Sequence, residues 1–457
     1  MFLLALVLSL GFNIFSKENL QQDSDNGLKT SISNSADSNQ KKTAQEIKIK
    51  NKKILILYSD GGSCHKAATA ALKELLDGCN YDIHSVNFFK DVAGSIDTVK
   101  SLTFGYISCE DAYNKMLSNG WNTLVNYYAM GLAPILMEWK ENDIKTLAKD
   151  YFKNFGVDLV ISTIPMINHS AGMAAKELNI PYIILTLDCE LKTWLYGFSK
   201  PDFYEKMSIT LWNDNEQTRE RLKEHFVPEN KIRHIGFPVR KQFFEEKNIS
   251  ELKKTYGVPE DKFVIMIMIG GAGGTATYRY AKKIISMNIP VHIIACAGKN
   301  ERIIRKLNRL KPNNQVSITS LGFTQNISDI MAISNLLITK PGPGTLNEAI
   351  QMELPVLIDS TGTALFWEKP HIDLIKNNNF GDSFSNIQEF ESKILELISK
   401  PKEEVKNIYA NKSKITPAIT REKLVNLIEE SFSPLLSRQL VSTSQPCLQA
   451  PDWTQPQ

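Results

Sequence analysis

The feature that most restricts how this chain can fold is a repeated alternation of short apolar runs with helical patterns. Strand-like runs at 53–58, 157–162, 181–187, 208–212, 263–269, 290–295, 316–321, 336–338 and 355–359, most of them apolar, are bounded by turn residues. Between them, apolar residues recur at helical spacing, as at 66–76, 138–155, 169–178, 216–225, 367–376, 387–398 and 421–432. A strand that is apolar throughout is buried on both faces, which is the condition of a parallel sheet covered by helices. The alternation therefore predicts an α/β chain of βα units. At 457 residues there is room for two domains of about 150–200 residues each. The fold class expected is two Rossmann-like domains, 53–235 and 241–415, facing each other across a cleft and joined by the crossover Ile235-Gly236-Phe237-Pro238-Val239-Arg240.

The ends read differently. Residues 1–15 are almost wholly apolar, about the length of a signal-peptide core and shorter than the ~20 residues of a spanning helix. They fit an anchor or signal-like segment, or a disordered start. Residues 16–52 are rich in Ser, Asn, Asp, Gln and Lys and read as a disordered tether. A helix is expected in 416–432 and a disordered tail in 433–457. A net charge of +3 does not call for nucleic acid as a partner. The six cysteines are scattered, with no CxxC pair or Cys/His metal spacing, which suits a reducing compartment without structural zinc. Residues 86–131 carry Phe88, Phe89, Phe104, Tyr106, Trp121, Tyr127 and Tyr128. They fit either a lid resting on a lipid surface or a pair of core helices.

Three turns carry chemistry. Run 336–338 leads into KPGPGTLNEAIQMEL, residues 340–354. Proline fixes φ and glycine permits positive φ, so the turn is tight, and the helix behind it offers unpaired N–H groups and a positive dipole end. Gly342, Pro343, Gly344 and Thr345 thus form a seat for an anion such as phosphate, and Glu348, one turn in, can accept from a sugar hydroxyl. The same pattern fits an ordinary loop with a solvent-facing Glu348. Gly270, Gly271, Gly273 and Gly274 offer a second backbone approach after run 263–269. The third turn, Ser59-Asp60-Gly61-Gly62-Ser63-Cys64-His65, lacks the GxGxxG spacing of a dinucleotide site. It places His65 at a helix start beside a strand end, where a neutral imidazole can act as a base; a structural hydrogen bond is the other reading. Asp188 ends run 181–187 and can orient His65, contact an acceptor or cap the next turn. No DxD-like pair stands at a strand end, and Asn213-Asp214-Asn215 reads as a helix cap. A departing diphosphate would be neutralised by backbone N–H groups and helix dipoles, with no metal.

KILILYSDGGSCHKAATA, IGFPVR, MIMIGGAGG, LGFTQNISDIM and ITKPGPGTLNEAIQMELPVLI together resemble monogalactosyldiacylglycerol synthases. They also resemble the related diacylglycerol glucosyltransferases and the peptidoglycan N-acetylglucosaminyl transferase. The resemblance covers about 53–432, with PGPGTLNEA its most specific part. It implies the GT-B fold and inverting transfer of a hexose from a UDP-sugar to a lipid acceptor such as diacylglycerol. It implies work at a membrane surface with the catalytic domain on the cytoplasmic side. The UDP-sugar is a substrate, so no cofactor is implied; the oligomeric state stays open. Position by position, His65 matches the catalytic base. Gly270, Gly271, Gly273 and Gly274 match the diphosphate loop, and Phe323 matches the loop that holds uracil through its backbone. Gly342 to Thr345 match the phosphate-binding helix start, Glu348 the ribose-binding carboxylate, and Glu368 falls near the position contacting donor-sugar hydroxyls. The chain departs from the pattern at Gly62-Ser63-Cys64, where glycines are usual. It departs again at Leu191-Lys192-Thr193-Trp194, which lacks a His and a Pro, and at Trp367, where a Gln is common. A UDP-sugar epimerase of the same fold and a non-catalytic UDP-sugar-binding relative are the alternatives.

Overall fold

The computed structural model describes residues 51–271, 273–409, 418–432 and 453–454. The apolar segment 1–15, almost all of the tether and most of the tail 433–457 lie outside the described residues. The first half contains strands β1 (Lys52–Tyr58), β2 (Tyr81–Asn87), β3 (Leu159–Ser162), β4 (Tyr182–Leu185), β5 (Met207–Leu211) and β6 (Ile232–His234). The second contains β7 (Phe263–Met268), β8 (Val291–Cys296), β9 (Ser317–Leu321), β10 (Leu336–Thr339), β11 (Val356–Asp359) and β12 (Gly381–Phe384). They form two six-stranded sheets, in the orders β2-β1-β3-β4-β5-β6 and β12-β11-β10-β7-β8-β9. Every neighbouring pair runs parallel. The expected fold class, two Rossmann-like α/β halves, is therefore present.

β7 shows why these runs make such sheets. All six of its residues are buried. Val264, Met266 and Met268 pack into one core, while Phe263, Ile265 and Ile267 pack into the other. Side chains alternate across a strand, so only an unbroken apolar run satisfies both faces.

In each sheet the chain lays strands to one side and then returns to the other. The order reverses between β1 and β3 in the first half and between β7 and β10 in the second. Ligands of open α/β sheets bind at such reversal points, outside the carboxyl ends of the strands. The turn to His65 follows β1, the Gly270 loop follows β7, and the Pro341–Gly344 turn follows β10.

Several expectations need correction. β2, β6 and β12 escape the apolar pattern because they are edge or near-edge strands of mixed polarity: β2 reads YDIHSVN, with five of its seven residues half-buried. The helix expected at 138–155 is two helices, Ala133–Trp139 and Glu141–Phe155, meeting at Lys140, whose ψ of 4° leaves the helical range. The aromatics of 86–131 divide between core and surface. Phe88 is fully buried and Phe89 packs on the core, whereas Phe104, Tyr106 and Tyr127 are 92%, 87% and 81% exposed. No described helix is long and apolar enough to cross a membrane.

Two segments cross between the halves. The helix Arg421–Phe432 follows the second sheet in sequence but packs on the first half. There Tyr81 hydrogen-bonds Glu429, and Arg233 Nε lies 3.2 Å from Glu430 Oε2. The other is the helical stretch 98–139 of the first half. From it, Asn126 accepts from Phe366 N at 3.0 Å and donates to the Ala364 carbonyl at 2.9 Å. Met116 and Val125 form a small apolar cluster with Leu365.

Candidate functional site

His65 lies in the first turn of the helix Cys64–Leu75. Its Nδ1 is 2.6 Å from the carbonyl of Thr163, the residue that follows β3. A carbonyl only accepts, so Nδ1 carries the proton and the neutral ring presents a lone pair at Nε2. Loss of water around the ring pushes its pKa down to about 4, with the Thr163 carbonyl opposing. The ring is therefore neutral at physiological pH.

The turn before His65 is held from outside. Glu110 Oε1 accepts from Ser59 Oγ at 2.5 Å and from Asp60 N at 2.7 Å, and its Oε2 accepts from Asn87 Nδ2 at 3.0 Å. Asn114 accepts from Gly62 N at 2.9 Å and donates to the Asp60 carbonyl at 2.8 Å. Both lie on the helix Cys109–Ser118, whose capping box at Ser108 and Asp111 fixes its start.

The second half offers its turns in a different way. Gly273 has φ +78°, and a Cβ there would sit 1.9 Å from the Ala297 carbonyl oxygen, so only glycine fits. Asn300 Nδ2 donates to the Gly273 carbonyl at 2.9 Å and Lys299 N to the Gly271 carbonyl at 3.1 Å. Phe323, after β9, is 56% exposed, with Lys299 Nζ 5.3 Å from its ring centre. The helix Pro343–Gln351 begins with Gly342 as N-cap and Pro343 at its first position, and no side chain caps it. Its first-turn N–H groups thus receive no side-chain cap.

Glu348 does not face solvent. It is 7% exposed, and Arg240 grips Oε1 through Nε at 3.0 Å and Nη2 at 2.6 Å. Burial raises its pKa and Arg240 opposes the rise. Glu368 is 6% exposed and accepts from Lys340 Nζ at 2.7 Å.

The two halves meet at these turns. A Cβ on Gly344 would lie 3.3 Å from Cys64 Sγ, and one on Gly271 would lie 3.5 Å from Ser63 Oγ. The N-termini of helices Cys64–Leu75 and Pro343–Gln351 therefore converge, with His65 one residue from the contact. His371 ties them further. Its Nδ1 is 2.9 Å from the Pro341 carbonyl, and its Nε2 accepts from Cys189 N at 3.2 Å. Cys64 is no nucleophile here, because burial pushes its thiol well up.

Asp188 takes none of its polar contacts from His65; the orienting place on Nδ1 belongs to the Thr163 carbonyl. Its carboxylate accepts from Trp194 Nε1 at 3.1 Å, closing the turn that follows β4. Burial raises its pKa to about 7, with Trp194 opposing and Glu368 adding to the rise. Among the described residues no cluster of three or more His, Cys, Asp or Glu is placed to hold a metal ion.

Sequence reasoning overlooked Glu110, Asn114, Thr163, Arg240, Lys340 and His371. For Arg240 and Lys340 a signal existed, since they end and open the two quoted stretches IGFPVR and KPGPG. The others act across distant parts of the chain, and nothing local marks them.

No family model matches the chain. It is 23% identical over 387 residues to a processive diacylglycerol beta-glucosyltransferase of Bacillus cereus (strain G9842), covering 79% of this chain and 91% of that one. It is 25% identical over 329 residues to a probable chloroplastic monogalactosyldiacylglycerol synthase of Glycine max, covering 68% of this chain and 58% of that one. In structure it is similar to MurG of Acinetobacter baumannii, with a TM-score of 0.54 at 13% identity over 83% of this chain and 99% of that one. The chain thus resembles diacylglycerol glycosyltransferases in sequence and MurG in fold, as the motifs imply.

Proposed function

We propose that the protein is an inverting glycosyltransferase that moves a hexose from a UDP-sugar to the hydroxyl of a lipid acceptor such as diacylglycerol, at a membrane surface. The observation that carries this reading is the convergence of the His65 helix start with the Gly342–Thr345 helix start. It sets a neutral imidazole beside an anion seat. In the reaction, His65 Nε2 takes the proton of the acceptor hydroxyl as that oxygen attacks the anomeric carbon. The bond from that carbon to the diphosphate breaks, and UDP leaves with the electron pair. The first-turn N–H groups of Pro343–Gln351 and the Gly270–Gly274 loop receive the charge. Glu348 and Phe323 hold the ribose and the uracil, and Glu368 contacts the donor sugar.

The acceptor side rests on the relatives' names and on the first-half surface. Phe104, Tyr106, Tyr127, Ile135 and Trp139 are all more than 60% exposed on 98–139. Exposed aromatic and aliphatic side chains at this density suit contact with a lipid interface.

The test supplies vesicles containing diacylglycerol with UDP-glucose, UDP-galactose or UDP-N-acetylglucosamine, and measures UDP release together with glycolipid by mass spectrometry. Release coupled to a glycosylated lipid is expected. Conversion of UDP-N-acetylglucosamine without any acceptor would replace this reading with an epimerase, and UDP binding without turnover would leave a non-catalytic relative.

A further inference from the structure

The two glycine turns of the second half leave a gap between them, and a side chain runs through it. Lys340 ends the segment after β10. Its Cε is 3.2 Å from the point where a Gly270 Cβ would stand and 3.5 Å from the same point on Gly342. Its Nζ lies 3.9 Å from that second point. A larger residue at 270 would crowd this chain, and one at 342 would come into contact with it. The ammonium rests on Glu368 Oε1 at 2.7 Å, and Glu368 Oε1 is itself 3.6 Å from the Gly342 position. The Lys340 side chain is about a third exposed and that of Glu368 is 8% exposed, so the pair stands at the rim of the gap with the cation on the open side.

Of the other charged groups here, Lys299 reaches towards the Phe323 ring, with its Nζ 5.3 Å from the ring centre. Arg240 is committed to Glu348, and Asp188 and Glu368 are carboxyl groups. Lys340 is the cation that faces both glycine turns. A helix N-terminus, with its unpaired N–H groups, supplies a partial charge of about +0.5 in all, short of the charge on a nucleoside diphosphate.

We propose that Lys340 binds the diphosphate of the nucleotide donor, and that Glu368 holds its ammonium across the gap until the phosphates take it over. This rests on the donor reading given above. The two residues then act with opposite sign on UDP. Removing the cation removes a charge-assisted hydrogen bond, whereas removing Glu368 removes a competitor for it.

The experiment titrates UDP and uridine into the full chain by calorimetry, in the wild type and in Lys340→Met, Lys340→Arg and Glu368→Gln. Lys340→Met is expected to weaken UDP about tenfold to a hundredfold while moving uridine less than about twofold. Lys340→Arg should keep part of the affinity, and Glu368→Gln should bind UDP as tightly as the wild type or more so. Equal losses for UDP and uridine in Lys340→Met would make Lys340 a structural residue and overturn the proposal, as would unchanged UDP affinity. Should Lys340→Met fail to fold by circular dichroism, Glu368→Gln decides, because a tenfold loss of UDP affinity there contradicts the competition. A wild type that binds no UDP sinks the donor reading itself, a result distinct from any of these.

Discussion

The two halves reach the same contact by unlike means. In the second half, the turns that meet the ligand gap are shaped by their own residues. Gly273 is the residue that fits against the Ala297 carbonyl, and Pro343 sets the first helical φ. In the first half, Gly62 with φ +82° and the bond from Gly61 N to Ser59 Oγ at 2.8 Å shape the turn leading to His65, but a distant helix holds it as well. Glu110 and Asn114 hold it by bonds reaching 50 residues or more along the chain. A grip on a fixed chemical group can be encoded locally, because backbone geometry does most of it. A side chain such as His65, presented by a turn, is placed by its surroundings, which leaves the neighbouring surface free to diverge. Of the departures from the family pattern, those at Cys64 and at 191–194 fall on that first half and the one at Trp367 falls on the second.

The sharpest way to break this comparison is His65→Ala. The rate of sugar transfer at saturating donor should fall about a hundredfold to ten-thousandfold, with UDP affinity unchanged. A fall in UDP binding of the same size would mean that the halves do not divide the work. The wild-type pH profile adds to this test. With the His65 pKa lowered to about 4, the acid limb of kcat/KM assigned to this group should lie well below the 6.5 of an ordinary histidine. Next in size is Glu110→Ala, expected to lower turnover about ten- to a hundredfold through a loosened turn, again with UDP affinity intact by calorimetry. Its counterpart in the second half is Glu348→Ala. There the affinity for UDP should drop about tenfold, and an unchanged dissociation constant would remove the ribose role.

A further effect is one of stability. The Asp188 carboxyl has a folded-state pKa raised to about 7 from 3.8. The folded protein thus binds a proton that the unfolded chain gives up between those values, and this contribution is lost as pH rises towards 7. Asp188→Asn does not titrate. Its stability relative to the wild type should therefore improve by about 2–4 kcal/mol between pH 4 and pH 8 in urea melts. A constant difference across that range would refute the raised value.

The same contrast explains what could be read from the chain alone. A strand buried on both faces, such as β7, must be apolar throughout unless a buried polar group finds partners, as His292 of β8 does with Ser317 and Thr319, so the sequence shows such strands. β2 and β12 carry Asp, His or Ser at half-buried positions and look like loops. His65, Gly273 and Gly342–Thr345 are legible because turn geometry demands particular residues at adjacent positions. Thr163 offers only a carbonyl, which any residue could supply, and Glu110 and His371 act through partners far off in sequence. Asp188, at a strand end, fitted orienting His65, contacting an acceptor or capping the next turn, and its hydrogen bond goes to Trp194 Nε1 within that turn.

Asn126 carries a consequence for motion. One amide satisfies both the Ala364 carbonyl and the Phe366 N–H on the opposite half. A hydrogen bond weakens steeply once its atoms are more than about 3.5 Å apart. Separating the halves here by about 1 Å breaks both bonds together, and nothing is gained until water replaces both. Asn122 Nδ2 on the Thr363 carbonyl at 2.9 Å, and the Thr123 and Thr363 hydroxyls 3.1 Å apart, add to this fastening. The stretch from Thr363 to Phe366, which leads to the partner of Lys340, is thus tied to the first half at several successive points.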